Sequence, residues 1–392
     1  MYTEDEVLDY IREEDVKFVR LAFFDLTGTQ KNISIMASQM EAAFRNGVSF
    51  DASAIYGFET PEKSDLFLHP DPTTLAVLPW RPNTGKVVRM FCNIRYPDGK
   101  LYEKDCRALL QKAVKTARDE YGVEFQFGTE IEFYLFKLDE NGEPTKIPFD
   151  NAGYMDIAPE DKGENIRREI CFTLEQMGIQ PEASHHEEGP GQNEIDFHYA
   201  DAVSAADNAS TFKWIVRTRA AMNGLYADFS PKPLLDKAGS GFHINLSCTD
   251  SSKNMHALAG IIKHASELTY YLNGCENSYE RLGEHKAPKY ICWGNENRSA
   301  FIRVPATKQS PRLEIRSADS ECNVYLAFTL LIYAALDGIS NKLEPPAPVE
   351  KNLFLAAKDS SKAGTLEPLP DTFESAKKIA EQSDFVKKAL GF

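Results

Sequence analysis

Two glutamates stand two residues apart in the run FGTEIEFYLF, residues 127–136. A strand alternates its faces, so Glu130 and Glu132 point the same way. Two such charges at ~4 Å repel by about 4 kcal/mol at an effective dielectric near 20. Three later stretches repeat the pattern. In NEIDFHY, Glu194, Asp196 and His198 oppose Ile195 and Phe197; in GFHINLS, His243, Asn245 and Ser247 oppose Phe242, Ile244 and Leu246; in RLEIR, Arg312, Glu314 and Arg316 oppose Leu313 and Ile315. A half-exposed strand alternates this way for solubility alone. Here, however, the polar positions are Glu, His, Asn and Arg, the types that coordinate metals and phosphates. Four such strands imply one shared, lined cavity.

In the loop SHHEEGPGQNEIDF, Glu187 and Glu194 bracket GPGQ, whose glycines let the backbone approach a ligand. With Glu130, Glu132, Glu314 and His243 this makes five carboxylates and one imidazole. Such an oxygen-rich set suits Mg²⁺ or Mn²⁺ better than zinc, and a divalent ion would cancel the repulsion. His185 and His186 are adjacent, face opposite ways on a strand, and are both expected to be non-ligands. Arginines supply the other half: Arg281 in SYERL, Arg298 and Arg303 in NENRSAFIRVP, Arg312 and Arg316 in RLEIR. Arginine grips carboxylate or phosphate with two parallel hydrogen bonds. Metals and arginines together stabilise charge on a transferring phosphoryl group. No GxxxxGK[ST] run and no kinase signature occurs. From the residues alone the chemistry is metal-dependent phosphoryl transfer, with a phosphohydrolase as the simplest form.

The elements that must position these residues fall into two parts. TEDE opens a helix as a capping box, Thr3 with Glu6. VKFVRLAFFD, KNISI and VVRMFCNIRY read as strands, with a helix from Ser38, giving a small α+β unit over 1–102. Over 103–392, long helices alternate with single strands: DCRALLQKAVKTARDEY, ENIRREICFTLEQM, AVSAADNASTFKWIVRTRAAM, KNMHALAGIIKHASELTYYL and ECNVYLAFTLLIYAALDGI. LEPPAP at 343–348 is a proline-rich connector. The net charge of −15 makes nucleic acid a poor partner. Seven scattered cysteines without a CxxC read as reduced thiols. The acidic start lacks a basic n-region and an apolar h-region, and the longest apolar run is too short for a bilayer, so a cytoplasmic protein is expected.

The motifs FDASAI, TEIEF, HHEEGPGQNEIDF, GSGFHINLS, NSYERL, APKYICWGNENRSAFIRVP and RLEIRSADSECNVYLA, in this order, resemble the glutamine synthetase family, type I of bacteria and archaea. The resemblance spans nearly the whole chain. It implies an α+β fold: a small β-grasp-like domain, then a catalytic domain whose mostly antiparallel sheet forms a funnel flanked by helices. It implies hexameric rings, single or stacked as a dodecamer, with each site completed by a neighbour's N-terminal domain. The implied reaction is ATP-dependent ligation of ammonia to the γ-carboxylate of glutamate through γ-glutamyl phosphate, with two or more Mg²⁺ or Mn²⁺ per site. By position, Glu132, Glu187 and Glu194 would hold one metal, and Glu130, His243 and Glu314 the other. Arg298 and Arg303 would grip phosphate, and Arg281 and Arg316 the glutamate carboxylates. Glu182, Asn245, Ser247 and Arg312 fall at ATP contacts, Gly239 at the amino end of glutamate, and Asp51 at the ammonium site of the adjacent subunit.

Three departures gather on the amino-acid and amine side. The family's loop after the Arg281 position ends in a glutamate that helps deprotonate ammonium; here it reads LGEHKAP, one residue shorter, with Lys286 before Ala287. Glu284 is the carboxylate that could substitute. Ala238 replaces an asparagine before GSG, and Ala54 replaces a serine near Asp51. Family chains also continue beyond the ALG found here at 389–391, through a segment that clasps the opposite ring, so weaker stacking is expected. Phe354 stands where adenylylated relatives carry tyrosine. Two alternatives to the ammonia ligase follow: a glutamate–amine ligase that uses an organic amine, and a non-catalytic nucleotide-binding ring protein.

Overall fold

Residues 2–307, 311–355 and 363–392 are described in the computed structural model. The Thr3 hydroxyl accepts from the Glu6 N–H, and the Glu6 carboxylate accepts from the Thr3 N–H, capping α1 (Glu4–Glu13) as the sequence reads. Strands β1 (Val16–Phe24), β2 (Gln30–Met36), β3 (Val48–Asp51), β4 (Asp65–Pro70), β5 (Ala76–Val77) and β6 (Lys86–Arg95) form the first sheet. Its order is β2-β1-β6-β4-β3, with β5 also against β6. β1 and β6 run parallel; the other pairs are antiparallel. Helix α1 and α2 (Met40–Asn46) cover an apolar core that runs from Val7 to Tyr102.

The larger sheet is built around β7 (Phe125–Leu138), the 14-residue strand that carries Glu130 and Glu132. With β8 (Pro144–Pro148), β9 (Pro181–His186), β10 (Gln192–Phe197), β11 (Ala200–Asp201), β12 (Leu225–Asp228), β13 (Phe242–Cys248), β14 (Trp293–Asn295), β15 (Ile302–Val304) and β16 (Leu313–Ile315) it makes a ten-stranded sheet. The path is β14-β15-β16-β13-β7-β10-β9, while β8, β11 and β12 pair with other parts of β7. Among the described residues of this sheet only β14 and β15 are parallel to each other. The remaining helices are α3 (Cys106–Tyr121), α4 (Glu164–Gln176), α5 (Ala202–Met222), α6 (Asn254–Lys263), α7 (Ala265–Leu272), α8 (Glu276–Arg281) and α9 (Val324–Ser340), with two short helices at Phe373–Gln382 and Asp384–Leu390.

Alternation along β7 does the positioning. Phe125, Phe127, Ile131, Phe133 and Leu135 are buried against helices, with Phe127 stacked on Phe328 of α9 at 4.2 Å and Phe133 meeting Phe229 at 5.6 Å. A slip of one residue would expose all five, so the apolar face fixes the register that aims Glu130 and Glu132 the other way. The two domains meet through a buried ion network. Arg107 of α3 reaches Asp71 at 3.0 Å and Asp207 of α5 at 2.9 Å, and the Tyr325 hydroxyl donates to Asp207 at 2.7 Å.

The structure departs from the sequence reading at KNMHALAGIIKHASELTYYL, which is two helices. The break falls at His264, whose ring lies 2.5 Å from Glu267 and 3.1 Å from Asp337 and stacks on Phe385 at 3.9 Å. These partners sit on three different elements, and reaching them outweighs the local helix propensity of the run. Among the described residues no helix is long and apolar enough to cross a membrane.

Candidate active site

Strand pairing turns four separate motifs into rows. Across β13, β7 and β10, His243, Glu130 and Asp196 lie directly opposite one another. The next row holds Glu132, Glu194 and His185 across β7, β10 and β9. On the other flank Asn245, Glu314 and Arg303 align across β13, β16 and β15. Opposed residues share a face with Cβ atoms about 5 Å apart, so carboxylates far apart in sequence become neighbours. Glu130, Glu132, Glu194 and Asp196 line a pocket of about 440 Å³ together with Arg281, Arg298, Arg303, Arg312 and Arg316, with Glu314 buried behind the last of these rows.

Each carboxylate has its own restraint. Glu132 accepts from the Gly241 N–H at 2.7 Å and from Gln192 Nε2 at 3.1 Å. A Cβ at Gly241, just before β13, would lie 2.9 Å from both Arg281 Nη2 and His243 Nε2, so any larger residue would displace the tips of these two pocket side chains. Glu130 accepts from Asn245 Nδ2 at 2.9 Å and lies 3.3 Å from His243 Nδ1. Arg312 in turn donates to Asn245 Oδ1 at 2.8 Å. Glu314 is fully buried and paired with both Arg303 and Arg316. Arg281 is buried and donates to the carbonyls of Ser317 and Arg316.

The electrostatics record unneutralised acid. Burial pushes the Glu194 carboxyl well up, and the charges of Glu132, Asp196 and Glu130 push it further. Burial and then Glu130 raise Asp196 to about 7. Burial raises Glu132 as well, with Glu187 adding to it. Burial also opposes ionisation of Glu130, but His243 and Asn245 outweigh it and hold that carboxyl at about 2. A divalent cation relieves this crowding. Two sets of ligand atoms are close enough to share one, each set within 4.8 Å of itself: Glu130, His243 and Glu314, and His185, Glu187 and Glu194. Hard oxygens with one imidazole in each set fit Mg²⁺ or Mn²⁺. A third set, Asp150, Asp161 and His186, is wholly buried outside this pocket, with Arg167 paired to Asp161 at 2.6 Å and His186 2.9 Å from Asp150.

His185, expected like His186 to be a non-ligand, is the one of the pair that lines the pocket. The two histidines do face opposite ways, but His185 therefore faces the pocket, 3.2 Å from Glu187 and 3.8 Å from Glu194. Glu182, which the resemblance puts at an ATP contact, lies outside this lining. It alternates away from Ala183 and His185, which line the pocket, and lies half exposed 3.0 Å from His198. A strand irregularity after Asp196 carries His198 out to that edge. Neither Asn245 nor Ser247 is in the lining, but Asn245 bonds two residues that are, Glu130 and Arg312. Gly239 lines the pocket and accepts from Gln192. Asp51 lies on the N-terminal sheet, exposed and accepting from the Ser53 N–H, outside the lining of its own chain's pocket. Asp196, Gln192 and Glu188 are lining residues to which the sequence reading gave no role; the alternation of NEIDFHY already placed Asp196 on the right face.

In the LGEHKAP loop, Lys286 rather than Glu284 reaches the pocket. Its ammonium pairs with Glu188 at 2.7 Å and sits 5.6 Å from the Tyr154 ring centroid. His285 and Lys286 both take positive φ, 38° and 69°. Side chains rarely adopt this conformation, and a loop that holds two there is over-determined by its contacts. Ala238 is buried, and its carbonyl accepts from the Tyr134 hydroxyl.

The comparisons agree with this geometry. Residues 103–392 match the family model described as "Glutamine synthetase, catalytic domain", and residues 15–97 match "Glutamine synthetase, beta-Grasp domain". The chain is 43% identical over 407 aligned positions to a glutamine synthetase of Staphylococcus aureus strain MW2, covering 100% of this chain and 91% of that one. A solved GmaS structure with ADP superposes with a TM-score of 0.88 at 27% identity, over 98% of this chain and 92% of that one. The Plasmodium falciparum glutamine synthetase shares the fold, with a TM-score of 0.86 at 22% identity over 100% of this chain and 95% of that one. With both domains matched end to end, and the acidic rows and arginines meeting in one pocket, the chain belongs to the glutamine synthetase family.

Proposed function

We propose that this pocket joins ammonia to glutamate in two steps, phosphorylation of the γ-carboxylate by ATP followed by displacement of that phosphate. The activity itself, ATP-dependent glutamate–ammonia ligation, rests on the full-length identity to curated glutamine synthetases. A carboxylate is a poor electrophile, and phosphorylation gives it a leaving group. Arg281 and Arg316, buried on the Gly239 side, hold the amino acid; Arg298, Arg303 and Arg312 balance charge on the phosphates. Glu130, His243 and Glu314 would hold one divalent ion, and Glu132, Glu187, Glu194 and His185 another. Bound there, the ions neutralise the phosphates and polarise the transferring group. Asp51 of an adjacent subunit would bind ammonium in a cytoplasmic ring of six, or a pair of stacked rings.

The observation that carries this reading is the convergence of two ligand sets and five arginines in one pocket. The test is ADP release measured with Mg²⁺ or Mn²⁺, glutamate and ammonium, omitting each in turn. Turnover that requires all of them is expected. Turnover indifferent to glutamate or to the metal would overturn the reading.

Lys286 favours a second reading, a glutamate–amine ligase. A cation at the pocket mouth cannot accept a proton from ammonium and repels it, whereas an organic amine brings apolar surface of its own. A panel of amines decides between them: saturation by an organic amine, without saturation by ammonium, would replace the first reading.

A further inference from the structure

A second cleft, of about 220 Å³, lies between the β1–β2 hairpin and α5, where the two domains meet. Arg20 of β1 faces it from one side, and Lys213 and Arg217 of α5 from the other. Residues four apart share a helix face, so the last two cations repel each other. Arg81 stands just beyond, on a shelf that shares Arg20 and Arg217 with the cleft. Among the described residues none of these four cations has a carboxylate within 4 Å. Glu321 is the only acid in the lining. The chain carries a net charge of −15, so four unpaired cations in one place run against its overall balance.

Two further observations point to a ligand. The cleft is walled by Trp214, held edge-to-face against Trp80 at 4.9 Å, with the Arg20 guanidinium 5.8 Å from its ring centroid. A buried hydroxyl of the lining, Ser320 Oγ, has no protein hydrogen-bond partner. Lys213 spends one N–H on the Ser320 carbonyl at 2.9 Å and keeps two others. Leaving such groups buried and unsatisfied is costly, and an oxyanion would satisfy cations and hydroxyl together.

We propose that this cleft binds a small multivalent oxyanion, a phosphate or dicarboxylate group, held by Arg20, Lys213 and Arg217 with the Ser320 hydroxyl as donor. Its occupancy is read at the glutamate side of the active site. One loop joins the two: Arg316 lies at its start and Ser320 four residues on. Within it the Ser317 carbonyl accepts from Arg281 at 2.7 Å and from Asn273 at 2.8 Å, and Asp319 accepts from Asn273 at 2.9 Å. A ligand that pulls on Ser320 therefore pulls on the two carbonyls that hold Arg281, and one of them is the backbone of Arg316 itself. This coupling rests on the glutamate-binding role proposed for those arginines; the binding site does not.

The test is calorimetric titration of the full-length protein, saturated with Mg²⁺ and ADP, with inorganic phosphate and separately with succinate. Arg217→Gln, at an exposed position, and Lys213→Gln are compared with wild type. At least one anion is expected to bind, with affinity reduced about tenfold or more in both variants. The anion that binds identifies the chemistry. The same anion should shift the KM for glutamate in wild type but not in Arg217→Gln, whose kcat without anion stays unchanged. Equal binding, or none, in wild type and both variants would overturn the site. A change in assembled mass in the variants with no anion effect would overturn it too, by making the cleft a contact between copies. Variant-sensitive binding with an unmoved glutamate KM would overturn the coupling alone.

Discussion

Glu194 sits directly across from Glu132 on the neighbouring strand, with burial and nearby carboxylates all resisting its ionisation. Removing its charge should therefore separate folding from metal binding. Glu194→Gln is expected to raise the melting temperature of the metal-free protein by a few degrees, on the order of 1 kcal/mol. The same change should shrink the stabilisation that Mn²⁺ gives wild type, about 2.7 kcal/mol when the ion is at a hundred times its dissociation constant. Thermal melts with EDTA and with Mn²⁺ check both; a variant that is less stable without metal and fully responsive to it would refute the argument. At Lys286 the forces are opposite in sign. Lys286→Glu removes a cation from the mouth, leaves Glu188 unpaired, and should lower the ammonium KM about five- to tenfold, with Lys286→Gln in between. An unchanged KM would mean that the Glu188 pair keeps the lysine charge away from the amine. At this scale the sequence was informative wherever side-chain type and strand alternation sufficed. Glu130, Glu132, Glu194, His243 and Glu314 all converge as their alternation requires. That His185 rather than His186 meets the pocket could not be read, because the phase of β9 is set by pairing with β10, which one strand's sequence does not state.

The same limit operates between elements. The apolar pattern of β7 dictates its buried face, but not that β13 and β10 flank it; those partners follow from helices packed behind the sheet. One such packing has a sharp steric condition. Gly260 of α6 and Gly338 of α9 let the two helices touch backbone to backbone, and a Cβ at Gly260 would lie 2.0 Å from the Ala334 carbonyl oxygen. Backbone cannot yield as a side-chain tip can, so Gly260→Ala should destabilise by about 1–3 kcal/mol, at the upper end or beyond. Urea unfolding followed by circular dichroism would show the midpoint falling. A midpoint at or above wild type would mean the helices separate at no cost. Nothing in KNMHALAGIIKH marks this glycine as a contact, since helix propensity alone makes it only a weak spot. The break at His264 was equally hidden, because Asp337 and Phe385, which hold its ring, lie more than seventy residues away.

For the molecule as a whole, the position of Asp51 carries the argument. It lies exposed on the N-terminal sheet, outside the lining of the pocket formed by its own chain, whereas the reading proposed above assigns it to the amine site. If it serves the reaction, another copy must present it, as a proposed head-to-tail ring would do by setting each N-terminal domain against the next catalytic domain. Two inactive variants can test this together. Asp51→Asn keeps the metal and nucleotide residues intact; Glu194→Gln keeps Asp51 intact. Alone, each is expected to be nearly inactive. Co-expressed in equal amounts, they should assemble rings in which a catalytic pocket from one variant meets Asp51 from the other. Random assembly makes about one site in four wholly native, because one particular neighbour must be of the opposite kind. Recovery of about a quarter of wild-type glutamine formation is therefore expected, falling away as either variant is brought into excess. If Asp51 acted within its own chain, every subunit in the mixture would carry one fault in its own site. The mixed rings would then be no more active than the two parents, however they assembled.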